Sequence, residues 1–286
     1  MIHSLRVLLR APFNQEKTFF AFRRFLFWKL IRILKLKNVK YRLWENRSIY
    51  INYDSFQSMW IMYNYWVDWE EFNLLKNYLR PSDIVFDKGS NMGFYTIWMS
   101  KFISKGKIHA FEPDLVNFER LQKNIELNNL QNQVVANRAA ASDQDAVLRF
   151  TCGLDGENHI TDSTLQNTVS IQSRKIDSYI KHHSITSSIS YMKLDVEGFE
   201  YAVLNGAAEV LRNKQIDIIQ LEINKTIANS GKKIDDLLNL LKEHQYQLCS
   251  YDVKNNQLKS IGFSIERENY FAVNDLSRIN SKLKAE

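Results

Sequence analysis

Cysteine is scarce in this 286-residue chain: Cys152 and Cys249 stand far apart and form no metal-like pair. That argues against a disulfide framework or a thiolate metal site, and a reduced, cytoplasmic setting is the expectation. Long apolar runs are missing as well, none reaching the roughly 18 residues that a membrane-spanning helix needs. Arginines interrupt the apolar stretch near the N-terminus and no small-residue cleavage site follows, which disfavours a secretory signal. No Gly-Lys-Ser/Thr closes a glycine loop, so a Walker-type phosphate site is excluded.

A 45% hydrophobic content suits a globular core, and the length suits one large α/β domain with an appendage. The net charge of +6 is unevenly placed: residues 1–50 hold twelve Lys/Arg against two Asp/Glu, leaving 26 against 30 in residues 51–286. The larger part is slightly acidic, whereas an enzyme acting on nucleic acid is expected to carry basic residues round its active face. The charge points instead to an N-terminal anchor. Wound at 100° per residue, Phe19, Phe22, Leu26, Leu30, Ile33 and Leu34 share one helical face, and Arg24, Arg32 and Lys35 gather opposite. Two outcomes are open for this basic amphipathic segment, residues 18–37: it lies in the headgroup region of an anionic membrane, or it packs on its own domain or a partner. Residues 41–80 are rich in Tyr and Trp, including Trp60, Trp66 and Trp69, and read as core or as a ring-stacking surface.

The chain is organised around Ile84–Thr96, Ile-Val-Phe-Asp-Lys-Gly-Ser-Asn-Met-Gly-Phe-Tyr-Thr. An apolar run ends in Asp87, glycines follow at 89 and 93, and a helix-length apolar segment begins at Phe94, which predicts strand, tight turn and helix. Gly89 and Gly93 give the backbone freedom to approach a ligand at the helix N-terminus. A dinucleotide site would place glycines at 89, 91 and 94, where this chain has Asn91 and Phe94. The next predicted strand, Ile108–Phe111, leads to Glu112, an acid positioned to accept hydrogen bonds from both hydroxyls of a ribose.

The spacing Asp-x-Gly-x-Asn-x-Gly, followed by that acid, resembles the S-adenosylmethionine loop of class I methyltransferases. With Lys193-Leu194-Asp195-Val196-Glu197-Gly198 further on, the chain most resembles the FkbM-type family. The resemblance covers about residues 68–273; Lys88 stands where an aliphatic residue is usual, and Ser90 where alanine is. It implies an α/β fold of the Rossmann-like class I methyltransferase type, a seven-stranded mostly parallel sheet with helices on both faces; the basic N-terminus, which the resemblance does not cover, is expected to add an α-helical extension. The implied division is an aromatic-rich extension at 1–67 and a catalytic domain at 68–286. The implied cofactor is S-adenosyl-L-methionine, held by Asp87, Gly89, Asn91, Gly93, Thr96, Glu112 and Asp195, with Ser142 and Asp143 at the adenine edge. Glu70 or Glu71 is the expected acid for the cofactor's methionine end. Asx-turn chemistry explains Asp143 equally well.

Later elements follow the same plan. Ala146–Thr151 and Val169–Ser173 alternate as strands, with Gly153, Gly156 and His159 in the polar loop between them. Strands at Ser190–Leu194 and Ile216–Ile223 deliver Asp195, Glu197 and Glu222 to their carboxyl ends, where doubly wound sheets bind ligands. A helix is expected from about Glu200 to Arg212, another at Ile234–His244, and the final strand, near Tyr270–Val273, is expected to insert antiparallel. Asp195, Glu197 and Glu222 are the candidate catalytic bases, since like charges close together raise one carboxyl toward neutrality. A bridging divalent cation is conceivable on three carboxylates, but they are a weak metal signal, and no metal site is assigned. Lys193 either neutralises the acids or covers the sheet.

The function expected is O-methylation of a glycan or small-molecule hydroxyl, in the cytoplasm or peripherally at the inner face of a membrane. Alternatives are RNA 2′-O-methylation, which the acidic balance weakens, and a non-catalytic membrane-associated cofactor-binding module, for which Lys88 is the only support.

Overall fold

The computed structural model describes residues 18–65, 68–154, 158–161 and 167–285. Trp66, Gly156 and residues 1–17 of the N-terminal extension lie outside the described residues.

The chain opens with helix α1 (Thr18–Ile33) and a hairpin, β1 (Val39–Trp44) and β2 (Arg47–Ile51), turned at Asn46, which takes φ +57, a conformation asparagine tolerates better than most residues. Two helices follow: α2 (Phe56–Asn64), capped by Ser55 accepting the Ser58 N–H, and α3 (Trp69–Tyr78). Alternation then begins with β3 (Ile84–Lys88), α4 (Phe94–Met99), β4 (Lys107–Phe111), α5 (Leu115–Leu127) and β5 (Val134–Asn137). Asp114 starts α5 by accepting the Asn117 N–H at 2.9 Å, and Leu121 and Ile125 are buried along it.

A small second sheet interrupts the pattern. It is built from β6 (Ala140–Ala141), β7 (Val147–Thr151) and β8 (Thr168–Arg174), with β7 and β8 antiparallel and β6 parallel to β8. The two-stranded insertion expected from alternation is present, and β6 joins it. Helix α6 (Ile176–His182) returns the chain to β9 (Ile189–Leu194). The single helix expected after Glu200 is instead two, α7 (Glu200–Asn205) and α8 (Ala208–Arg212), with Gly206 at the elbow. A Cβ there would lie 2.2 Å from the Ser142 carbonyl oxygen. The chain ends through β10 (Ile216–Glu222), a 3-10 turn at Lys225–Ser230, α9 (Ile234–Glu243), β11 (Gln247–Asp252), β12 (Gln257–Ser260), β13 (Asn269–Val273) and α10 (Leu276–Lys284).

Among the described residues the main sheet has eight strands in the order β12-β11-β13-β10-β9-β3-β4-β5, not the seven expected. Strands β10, β9, β3, β4 and β5 run parallel, and β13 lies antiparallel between β10 and β11, as predicted. The added strand is β12, a short edge piece with only Leu258 buried, so it carries no alternation for a sequence to reveal. Central strands read as continuous apolar runs because helices cover both sheet faces. Val85, Ile108, Tyr191 and Ile218 belong to one apolar cluster, which also takes in Ala21, Phe25, Trp28 and Ile31 of α1. Phe86, Phe111, Met192 and Ile219 belong to the other, beneath α6 to α9.

Successive connections leave β3 in one direction, through β4 to β5, and then return to β9 on its other side. The carboxyl ends of β3 and β9 therefore flank the crevice where strand order reverses. Open α/β sheets bind ligands at such points.

Candidate active site

The loop after β3 is folded by its glycines and by Asn91. Gly89 has φ +75, and a Cβ on it would sit 1.8 Å from the Asp195 carbonyl oxygen, so the loops after β3 and β9 touch only because residue 89 lacks a side chain. Asn91 has φ +50 and accepts the Met92 N–H on its own side-chain oxygen, a local bond glycine could not make. Its N–H donates to Glu112 Oε2 at 2.8 Å, while the Asp114 N–H donates to Oε1 at 2.9 Å. Glu112 is thus held at the end of β4 by two backbone donors, and burial still lifts its carboxyl to about 8.

Below the loop, Asp87 is fully buried and accepts the Thr96 hydroxyl at 2.6 Å on Oδ2, while Oδ1 has no hydrogen-bond partner among the described residues. Burial raises its carboxyl, against the pull of Lys193 and the Thr96 bond.

A cavity of about 480 Å³ opens over the carboxyl ends of β3, β4, β9 and β10. Its polar wall includes Asp68, Asn91, Glu112, Lys193, Asp195 and Glu222. Lys193 pairs with Asp195 at 2.8 Å; burial works against its charge, but Asp195 and Asp87 outweigh it and raise the ammonium above its ordinary range. Lys193 therefore neutralises an acid of the site, the first of its two expected roles. Glu222 takes the Asn224 side-chain N–H at 2.7 Å. Burial, then Asp195, Glu197 and Glu268, lift the Glu222 carboxyl to about 8.

Glu197 has φ +53 and precedes Gly198 at φ +100, where a Cβ would lie 1.9 Å from the Thr226 carbonyl oxygen. That turn is tied from inside by Glu200, whose Oε1 accepts the Val196 and Gly198 N–H groups at 3.2 and 3.3 Å. A hydrogen-bonded chain closes the floor: Tyr191 donates to Gln220 at 2.6 Å, Gln220 to Tyr95 at 3.1 Å, and Tyr95 to Asp68 at 2.6 Å. Among the described residues no group of three or more His, Cys, Asp or Glu side chains is arranged to hold a metal ion.

The sequence matches the model of the methyltransferase FkbM domain over residues 87–248, more than half of the chain. The chain belongs to the FkbM methyltransferase family. Curated relatives include methyltransferase 1 of Beauveria bassiana, 27% identical over 149 residues, covering 44% of this chain and 59% of that protein. The hexuronic acid methyltransferase AglP of Haloferax volcanii is 24% identical over 170 residues, covering 59% and 66% respectively. The 31-O-demethyl-FK506 methyltransferase FkbM of Streptomyces tacrolimicus is 36% identical over 73 residues, covering 26% and 27%. The chain thus spans less than two thirds of the length of each.

The cofactor of an FkbM methyltransferase domain is S-adenosylmethionine, and the donor set here suits it. Glu112 offers a fixed acceptor for hydroxyl donors, Asp68 and Asp195 offer carboxyl oxygens to a group that donates hydrogen bonds, and Phe111, Phe150, Ile160 and Ala139–Ala141 give an apolar slot for a ring. Of the residues expected at this FkbM site, Gly89, Asn91, Glu112, Asp195, Glu197 and Glu222 line the cavity. Asp87, Gly93 and Thr96 do not; they lie one layer behind, where a Cβ on Gly93 would meet Leu121 Cδ1 at 2.7 Å.

Ser142 and Asp143 do not line it either. The Ser142 N–H donates to the Arg174 carbonyl as β6 follows β8, which carries the chain away, and Asp143 ends exposed, bonded to the Ser142 hydroxyl. Neither Glu70 nor Glu71 reaches the cavity. Glu70 pairs with Arg267, and Glu71 is buried in the core of α3. Asp68, two residues earlier, lines it instead, a choice that depends on where α3 begins. Tyr95, Gln220 and Glu200 were not legible as site residues either: an aromatic, an amide in an apolar strand and the first residue of a helix carry no motif.

Proposed function

We propose that this protein transfers a methyl group from S-adenosylmethionine to a hydroxyl oxygen of a glycan or small-molecule acceptor. The observation that carries the reading is the convergence, on one cavity, of a ribose-type acceptor, Glu112, with a separate acidic end at Asp195 and Glu222. The acceptor class draws support from AglP, whose name gives a hexuronic acid as its substrate, and from FkbM, whose name gives an oxygen at position 31.

The bound cofactor supplies one chemistry, an electrophilic methyl carbon on a sulfonium. The chain supplies binding, orientation and a destination for the proton. Glu112 accepts from ribose hydroxyls, Gly89, Asn91 and Gly93 shape the loop that meets the cofactor, and Asp87 with Thr96 stiffens that loop from below. Asp195, fixed by Lys193, borders the reacting end. Glu222 accepts the proton of the acceptor hydroxyl, its carboxyl already brought near neutrality by burial and by its acidic neighbours. Glu197, in a strained turn beside it, supplies part of that field and lines the acceptor side. Residues 68–286 would form the catalytic unit and 1–67 its extension.

The test is transfer of a labelled methyl group from the cofactor to a panel of hydroxyl compounds that includes hexuronate-containing glycans, followed by location of the label. An O-methyl product supports the reading. Label found only on RNA, or on no compound with cofactor bound, overturns it.

A further inference from the structure

Helix α1 has two apolar faces, and only one is covered. Ala21, Phe25, Trp28 and Ile31 are buried, and α1 packs on α2. Arg24 is drawn under with them: it donates to the Met62 carbonyl at 3.4 Å and lies 5.1 Å from the Tyr65 ring centroid. The face expected to be shielded from Arg24 is therefore the one turned outward. Phe19, Phe22, Leu26, Leu30, Ile33 and Leu34 are between 49 and 75% exposed.

This is a patch and not scatter. Of the sixteen exposed large hydrophobic residues among the described residues, nine lie between Phe19 and Leu36. Soluble surfaces seldom gather apolar side chains in that way without a partner. The surrounding charge identifies the partner: Thr18 to Trp44 contains eight Lys/Arg and no Asp or Glu. Arg23, Arg32, Lys35, Lys40 and Arg42 are exposed, so the patch is rimmed by uncompensated positive charge. A second copy of the chain would bring two such rims together, like charge on like charge. An anionic lipid surface offers an apolar interior beneath a negative headgroup layer, and long basic side chains reach that layer while their stems stay in contact with hydrocarbon.

We infer that the outer face of α1 seats the protein on an anionic bilayer, the helix lying in the plane of the interface. It does not cross: no helix among the described residues is long and apolar enough to span a membrane. The consequence for the site follows from α2. Phe56, Gln57, Trp60 and Asn64 line the cavity, and α1 packs on that same helix. The cavity wall is one helix away from the docked face, which suits an acceptor presented at the membrane. That consequence rests on the methyltransferase reading; the docking itself does not.

The experiment is flotation of the full chain with phosphatidylcholine vesicles, with and without phosphatidylglycerol, for wild type and for the combined variant Phe22→Glu, Leu26→Glu, Leu30→Glu. Wild type should float with phosphatidylglycerol vesicles, less so at high salt, and the variant should bind at least about tenfold more weakly. Titration of both proteins with S-adenosylhomocysteine reports the site separately: equal affinity shows that the variant is folded, and its result bears on the methyltransferase reading alone. Absence of binding by wild type, equal binding by the two proteins, or a lipid-free wild-type dimer that the variant dissolves would each overturn the inference, the last assigning the face to a second copy.

Discussion

The backbone N–H of Asn91 donates to Glu112 Oε2 at 2.8 Å, which ties the glycine loop after β3 to the acid after β4. Neither position is independent of the other. Asn91 takes a left-handed conformation whose N–H points across the crevice, and Glu112 is aimed by that donor and by the Asp114 N–H. A feature that reads in the sequence as two separate signals is, in the fold, one clamp.

Three buried acids and the half-buried Glu222 make the ligand-free protein sensitive to alkali. Burial is the leading cause in each case: it lifts Glu71, Glu112 and Glu222 to about 8 and Glu200 to about 7, from an ordinary value of 4.5. Through these four acids the fold holds more protons than the unfolded chain in that interval. Its stability is therefore full at the acidic end and falls as pH rises toward about 8. Urea unfolding of the ligand-free protein should show stability falling between about pH 5 and pH 8.5. A flat or rising profile would contradict the assignment.

Glu222→Gln separates chemistry from binding. As a base, Glu222 works in its ionised form, so wild-type kcat should climb as pH rises through about 8 and then level. In the variant, kcat should fall by about 10²- to 10³-fold and the climb should disappear. Cofactor affinity should be unchanged, which calorimetry on the same preparations checks.

Lys88 is predicted to weaken the fold; it does not itself line the cavity but packs beneath Phe111, which does. Its side chain is fully buried, Nζ has no hydrogen-bond partner among the described residues, and it lies 2.9 Å from the Phe111 ring centroid in a nest completed by Phe86 and Tyr179. Burial drives its amine well below the ordinary 10.5, so the folded form binds fewer protons than the unfolded one and loses stability wherever the free amine is charged. Lys88→Met should stabilise by about 1–3 kcal/mol at neutral pH. That gain should shrink as pH approaches 10.5, because the unfolded amine then discharges too. Denaturant titration at two pH values reads both effects.

What was legible in the sequence is what short-range geometry dictates. Gly89, Asn91 and Glu112 sit at fixed offsets from strand ends, so spacing alone brings them to the crevice, and Asp195 follows from the next strand. Asp68 was hidden because three acids stand within four residues, and the turn before α3 alone decides that Asp68 faces the cavity while Glu70 meets Arg267, 197 positions on. Periodicity found an apolar face on α1 but could not say which of two would be buried. Lys88, which stands where an aliphatic residue is usual, turns into the aromatic core on the far side of β3, where only the packing of α6 could have placed it.

The most direct measurement of the central claim is a calorimetric titration with S-adenosylhomocysteine of wild type, Glu112→Ala and Asp143→Ala. At about pH 8.5, where the Glu112 carboxyl is largely ionised, hydrogen bonds to it are worth about 1.5–3 kcal/mol, so Glu112→Ala should bind about 10- to 100-fold more weakly than wild type, with Asp143→Ala unchanged because that side chain lies outside the cavity wall. No binding by wild type, or equal binding by Glu112→Ala, would contradict it.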